Sequence, residues 1–325
     1  MLNKTAIVIT TINPPSVAIQ KFCKISPDNV FIIGDVKTNS HWNYPGAFFL
    51  GIDKQNSAFA KSLPQNHYSR KMLGYIHAKN LHYSVIYDTD DDNIPKNNWF
   101  QPPFSGKYNT TALHAGFINI YQYFTDKKIW PRGLPLSNIL NNDNKYFLSE
   151  PQHFSRIGIW QGLADLDPDV DAIYRLTCNH ECFFTAKTPI VLNKGTISPL
   201  NTQNTFIIKE CFSLLYIPST VTFRFCDILR GIIAQPIMWA AGYHAGFYEA
   251  TFEQERNEHD YFKDFLDEIP MYQHCEKAFH IVYDTVSPHK SMTDNIISAY
   301  IALYYHGIVK KEELHRLNLW LKEIN

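Results

Sequence analysis

Over its first ninety residues the chain alternates short apolar runs with amphipathic stretches. Residues 6–10 form a continuous apolar run ending in Thr10, as expected of a parallel strand covered on both faces. Asn13 followed by Pro14 and Pro15 reads as a helix start, because Asn caps and Pro suits the first turn; Val17 to Phe22 continues that helix. A second buried strand is expected at 30–33, ending in Gly34 and Asp35. Tyr68, Met72, Tyr75, Ile76 and Lys79 fall on one face of a helix. A third strand, 85–87, runs into Asp88. This order predicts an α/β fold with an open, mostly parallel sheet. Ligands on such sheets lie beyond the carboxyl ends of the strands. Thr10, Thr11, Asp35 and the acidic stretch 88–92 all fall at such ends.

The middle of the chain is less regular. Asp165, Asp167, Asp169 and Asp171 alternate like the opening of a calcium loop. Val170, however, stands where the tight turn requires Gly, and Leu176 where Glu is needed. The segment therefore reads as a polar loop leading into a strand at 172–176. Near the end, two helices are expected at 294–306 and 310–324, broken at Gly307, with Leu314, Leu317 and Leu321 at helical spacing. The expected division is a site-bearing domain over 1–250 and a helical packing extension over 251–325.

Composition narrows the classes. The chain has 325 residues, 45% apolar and 14% aromatic, ample for a sizeable core. Thirty basic residues nearly cancel thirty-one acidic ones, so no global field invites nucleic acid or an anionic membrane. The six cysteines are scattered without a CxxC pair, which argues against a disulfide framework. The nearest approach to a zinc cluster, Cys178, His180 and Cys182, lacks a second half and reads as a strand with buried thiols. Met1 to Lys4 lead into an apolar run too short for a signal segment, and no stretch reaches transmembrane length. The expectation is a soluble, cytoplasmic chain in which the sequons at Asn3 and Asn109 are chance matches.

The candidate chemistry lies at 88–92. Asp88, Asp90, Asp91 and Asp92 place four carboxylates within five residues, and their repulsion must be offset. A hard divalent cation, Mn²⁺ or Mg²⁺, does this and can then grip a diphosphate. That chemistry serves transfer from a nucleotide-activated donor. The alternative is a solvated acidic turn.

Four blocks resemble the STELLO-type glycosyltransferase family, of GT-A (Rossmann-like) fold. They are 10–15 with 33–38; 68–75 running into 86–92; 130–136, with Trp130, Pro131, Arg132, Gly133 and Pro135; and 227–235, from Asp227 to Gln235. More distantly, the chain is similar to the plant reversibly glycosylated polypeptides, which act as UDP-arabinopyranose mutases. The resemblance implies that Asp90 and Asp92 hold Mn²⁺ or Mg²⁺ on the diphosphate of a nucleotide sugar, a UDP-sugar favoured, while Asp91 touches the sugar or ribose. Thr10, Thr11 and Asp35 are expected at the base and ribose, and Arg70 and Lys71 at a phosphate. Arg132 is expected to contact phosphate or sugar, with a salt bridge to Asp227 or a neighbour as the alternative. Asp227, between Arg224 and Arg230 on one helix face, is expected as the base for an acceptor hydroxyl or as part of an ion-pair network, with Arg230 on the donor side. His244 is left out of the metal set. Trp130, Trp160 and Trp239 either stack on sugar or pack in the core. The implied activity is hexosyl or pentosyl transfer to a glycan or other hydroxyl acceptor in surface glycan or polysaccharide synthesis. A nucleotide-sugar mutase and a non-catalytic scaffold are the alternatives.

Overall fold

A computed structural model describes residues 4–255 and 260–325. The Asn3 sequon, the reading of the first residues and positions 256–259 of the expected extension lie outside the described residues. Among those described, eleven strands form one sheet. Its first part is β1 (Thr5–Thr10), β2 (Val30–Ile33), β3 (Ala47–Leu50) and β4 (Val85–Asp88). The strands that follow are β5 (Asn93–Pro95), β6 (Gly106–Thr111), the short β7 (Gly116–Phe117), β8 (Phe147–Phe154), β9 (Ile157–Leu166), β10 (Ile190–Val191), β11 (Thr196–Ile197), β12 (Thr205–Ile208) and β13 (His244–Gln254). The sheet order is β3-β2-β1-β4-β12-β9-β13-β10-β6-β8, with β5 beside β13, while β7 and β11 pair separately. The α/β expectation holds. Strands β1–β4 pair in parallel; β12 then runs antiparallel to both β4 and β9, and parallel pairing returns between β9 and β13 and between β6 and β10, so the whole sheet is mixed.

The expected strand at 85–87 is the fourth of the chain, because β3 intervenes. That strand, Ala47-Phe48-Phe49-Leu50, is wholly apolar in sequence but lies at the sheet edge, half-exposed rather than covered on both faces. Helix α1 (Val17–Ile25) starts later than expected: the cap is Ser16, whose hydroxyl accepts from the Ile19 N–H at 3.3 Å, so Pro14 and Pro15 precede the helix. After α2 (Ala58–Ser62), the helical face read from Tyr68 onward begins as a 3₁₀ turn, Tyr68–Lys71, before α3 (Met72–Asn80). Gly74 lets α3 settle on the sheet, since a Cβ there would come within 2.5 Å of Val8 and 2.9 Å of Ile33.

Two expectations for the middle are corrected. After the short α4 (Tyr121–Phe124), residues 172–176 lie in α5 (Ala172–Thr177) rather than in a strand. Asp171 decides this by accepting from the Tyr174 N–H at 2.8 Å, a cap that outweighs the strand preference of Ile173 and Tyr174. The Cys178–Cys182 segment is not a strand either. Cys182 is buried in an isolated bridge to Leu166, Cys178 is half-buried, and all six cysteines are free.

Helix α6 (Phe223–Ala240) crosses the interior and packs against α7 (Tyr261–Thr285), a long helix the sequence pattern did not reveal. The two expected terminal helices are present as α8 (Met292–Tyr305) and α9 (Lys311–Ile324). Leu317, Trp320, Leu321 and Ile324 of α9 are buried in a core continuous with α3 and α6. No described helix is long and apolar enough to cross a membrane.

Candidate functional site

The carboxyl ends of β1, β2 and β4 open into a cavity of about 370 Å³. Thr10, Thr11, Asp35, Arg70, Asp90, Asp91 and Asp92 line it from this side, and Arg132 and Asp227 from the other. The loops at the strand ends are tied together. Thr38 Oγ1 donates to the Thr11 carbonyl at 2.7 Å and accepts from the Asp35 N–H at 2.8 Å. Asp35 accepts from the N–H groups of Val36 at 2.7 Å and His67 at 3.1 Å. The Thr11 hydroxyl donates to Asp91, which also accepts from Asn13 Nδ2 at 3.1 Å. Asp91 is thus fixed to the loop after β1, turned away from its two neighbours' partners.

Asp88 is fully buried, with Lys71 Nζ at 2.7 Å on one oxygen and Arg230 Nη1 at 2.9 Å on the other. Lys71 also donates to Asp90 Oδ1 at 2.9 Å and to the Tyr68 hydroxyl at 2.8 Å. Burial would lower the lysine's pKa, yet Asp88 and Asp90 beside it raise it, so it stays charged. The Tyr68 hydroxyl donates to the same Asp90 oxygen at 2.5 Å and lies 2.7 Å from Thr202 Oγ1. Asp90 itself is pushed up to about 6, by burial first and by the charge of Asp92, with Lys71 opposing. Asp92 accepts from Gln254 Nε2 at 3.1 Å, and Gln254 in turn is held by Gln203 at 2.7 Å.

Three expected donor contacts are corrected by this geometry. Lys71 and Arg230 do not line the cavity; they neutralise Asp88 beneath it, which a buried carboxylate requires. Arg70 reaches the wall, but its Nε and Nη2 donate to Gln55 Oε1 at 2.8 and 2.5 Å, and its Nη1 faces the carbonyls of Ala60, Leu63 and Pro64. Its guanidinium organises the 55–64 loop instead of gripping a phosphate.

On the far wall, Arg132 is held by two carboxylates. Its Nε and Nη2 donate to Asp169 at 2.8 and 2.9 Å, and its Nη1 and Nη2 to Asp227 at 3.0 and 2.8 Å. Its Nη1 also donates to the Arg224 carbonyl. Gly133 permits this approach: its φ is +89°, and a Cβ would come within 2.4 Å of Ile228. The expected flanking of Asp227 by Arg224 and Arg230 is not what forms. Arg224 pairs with Glu268 at 2.6 Å and Arg230 with Asp88, leaving Arg132 as the arginine on Asp227. Local spacing marks Asp169 only as part of a polar loop, and nothing in it ties the residue to Arg132, 37 positions away. Tyr68, Thr202, Gln203, Phe223 and Gln254 also line the cavity without having been singled out for it. Trp130, Trp160 and Trp239 are buried in the core, and His244 lies off the cavity against the Leu192 carbonyl.

The lining carries six carboxylates, Asp35, Asp90, Asp91, Asp92, Asp169 and Asp227, against four cations, Lys37, Arg70, Arg132 and Arg224. Among the described residues no three His, Cys, Asp or Glu side chains converge to hold a metal. Asp90 and Asp92 nevertheless offer hard oxygen donors where negative charge is in excess. That fits Mg²⁺ or Mn²⁺, which bind through one or two carboxylates and complete their shells with water and substrate phosphate.

No family model matches the chain. Among curated proteins it is similar to "Probable glycosyltransferase STELLO1" of Arabidopsis thaliana, 25% identical over 345 aligned positions, covering 98% of this chain and 44% of that protein. It is also similar to "Probable glycosyltransferase STELLO2" of the same plant, 29% identical over 272 positions, covering 75% and 35%. The chain thus spans less than half the length of these relatives. Among solved structures, a mycobacterial protein superposes on 87% of this chain and 75% of its own at a TM-score of 0.41 and 9% identity.

Proposed function

From this likeness to the STELLO-type glycosyltransferases, we propose that the chain is a metal-dependent transferase of GT-A type that takes a sugar from a nucleoside diphosphate, UDP favoured, to a hydroxyl acceptor in glycan or polysaccharide synthesis. The observation that carries the reading is the cavity at the ends of β1, β2 and β4, with Asp90 and Asp92 in its wall. Both hydrogen bonds to Asp90 fall on Oδ1, so Lys71 and Tyr68 orient the carboxylate without occupying Oδ2. Asp90 and Asp92 would hold Mn²⁺ or Mg²⁺, which when bound supplies charge neutralisation for the departing nucleoside diphosphate. The base and ribose would lie over Thr10, Thr11 and Asp35, with Asp91 reaching the ribose or sugar.

Asp227 is the acceptor-side carboxylate we assign to the proton of the attacking hydroxyl, with Arg132 orienting it. The mutase alternative asks Arg132 to take up the sugar. All three of its nitrogens are engaged by Asp169, Asp227 and the Arg224 carbonyl, which favours transfer. Titration calorimetry with UDP, with Mn²⁺ and then with EDTA, tests the proposal. Binding is expected only with the ion, and equal affinity in EDTA would remove the metal role.

A further inference from the structure

One guanidinium at the cavity has an unengaged nitrogen. Every guanidinium nitrogen of Arg132 and Arg70 has a hydrogen-bond partner within the protein, and Arg230 lies outside the lining. Arg224 differs. Its Nε and Nη2 both rest on Glu268 Oε1, at 2.9 and 2.6 Å, while Nη1 has no hydrogen-bond partner among the described residues. The anchor is rigid: Glu268 is fully buried and also accepts from the Ala172 N–H at 2.7 Å and the Tyr272 hydroxyl at 2.6 Å. Beside Arg224, at the start of α6, the Phe223 ring lines the cavity yet is 53% exposed. It is held edge-to-face by His67 and Tyr68, at 6.2 and 5.8 Å between ring centroids. An exposed, braced aromatic ring beside a fixed N–H donor matches one apolar face and one polar edge of a sugar ring.

Charge narrows the class of ring. Around Arg224 the carboxylates of Asp169, Asp227 and Glu268 outnumber the guanidiniums of Arg132 and Arg224, so a ring-borne carboxylate would meet net negative charge. Position indicates its source. Glu268 and the Val170 carbonyl, which Arg224 approaches at 3.5 Å, belong to α7 and the segment after β9. That lies across the strand order from Asp35, which follows β2 and where the proposed function puts the nucleotide; Phe223 reaches toward that side through His67, whose N–H donates to Asp35. We propose that Phe223 and Arg224 form the subsite for a neutral acceptor sugar, with the ring stacked on Phe223 and a hydroxyl accepting from Arg224 Nη1. The assignment to acceptor rather than donor rests on the transferase reading.

The test is saturation-transfer NMR on the full chain with methyl glycosides of glucose, galactose, mannose and xylose, and with methyl glucuronide, each with and without UDP and Mn²⁺. At least one neutral glycoside should bind better than the glucuronide. Phe223→Ala and Arg224→Gln should each weaken that binding about fivefold or more. Calorimetric affinity for UDP, and the gain of UDP-glucose over UDP, should remain within about twofold. Arg224→Gln leaves Glu268 with a weaker partner, so melting curves accompany it; Phe223→Ala alters an exposed ring and keeps the test open if the other variant unfolds. No neutral glycoside binding, a preference for glucuronide, or binding unchanged in Phe223→Ala would overturn the subsite. A selective loss of UDP-glucose affinity in Phe223→Ala would move the platform to the donor sugar and end the acceptor assignment. Failure of UDP itself to bind wild-type protein would count against the transferase reading, while the nucleotide-free glycoside arm would still judge the subsite.

Discussion

Arg132 and Asp227 meet end-on: Nη1 lies 3.0 Å from Oδ1 and Nη2 2.8 Å from Oδ2, with both residues buried at the cavity wall. The parallel pair joins the loop before Gly133 to the first turns of α6, and Asp169 fixes the other edge of the same guanidinium at 2.8 Å. A planar fork is what this geometry needs, and an ammonium cannot reproduce it.

Arg132→Lys is therefore expected to lose stability as well as activity. Lys keeps the charge but leaves buried carboxylate oxygens unmatched, a loss of about 2–4 kcal/mol. Denaturant unfolding measures it. A change below about 1 kcal/mol would mean that the pair behaves as an exposed ion pair does.

Asp227→Asn separates a base from an anchor. If Asp227 takes the acceptor proton, nucleotide affinity should survive and transfer should fall on the order of 10²–10⁴. If it only holds Arg132, the loss should appear in the melting temperature, with turnover per folded molecule near normal. Both readings come from one preparation, and unchanged transfer in a folded variant would end the catalytic assignment.

Asp92→Asn should weaken Mn²⁺-dependent UDP binding by about tenfold or more, through loss of one charged oxygen donor. Stability should change by less than about 1 kcal/mol, since Asp90 and Asp92 repel one another and Gln254 can still reach the Asn oxygen. Calorimetry beside a melting curve checks both parts; undiminished ion dependence would exclude Asp92 from the metal set.

Asp171 gives a pH dependence away from the proposed metal site. Burial pushes its pKa from 3.8 up to about 6, with the Tyr174 N–H and the Trp130 indole opposing. A carboxyl raised in the folded state binds its proton more tightly folded than unfolded. Stability should therefore fall as pH rises from about 4 to about 6, by about 3 kcal/mol from this group, and stay level above. Asp171→Asn cannot titrate, so this part of the slope should vanish. Its absolute stability should also drop, because an amide nitrogen cannot accept from Trp130 Nε1, now at 2.8 Å from Oδ2. Unfolding measured across the window compares the two slopes, and parallel curves would refute the assignment.

The local pattern along the chain determined the strands at 6–10, 30–33 and 85–87, the terminal helices and the carboxylates at the end of β4. Each of these rests on neighbours a few residues apart, where burial on both faces or helical periodicity leaves a direct imprint on composition. That Thr10, Thr11, Asp35 and Asp90–Asp92 come together on one cavity wall was legible for the same reason, since strand ends in a parallel sheet share one rim. Only the tertiary structure decided which charge meets which. Lys71 is expected at a phosphate and Arg230 on the donor side from the sequence, yet both are drawn beneath the cavity because Asp88, buried between them, cannot remain charged alone. Arg132 finds Asp169 37 positions away and Asp227 95 positions away. No spacing rule encodes those meetings: they follow from the order in which β4, β12 and β9 pair, and from α6 laid across them.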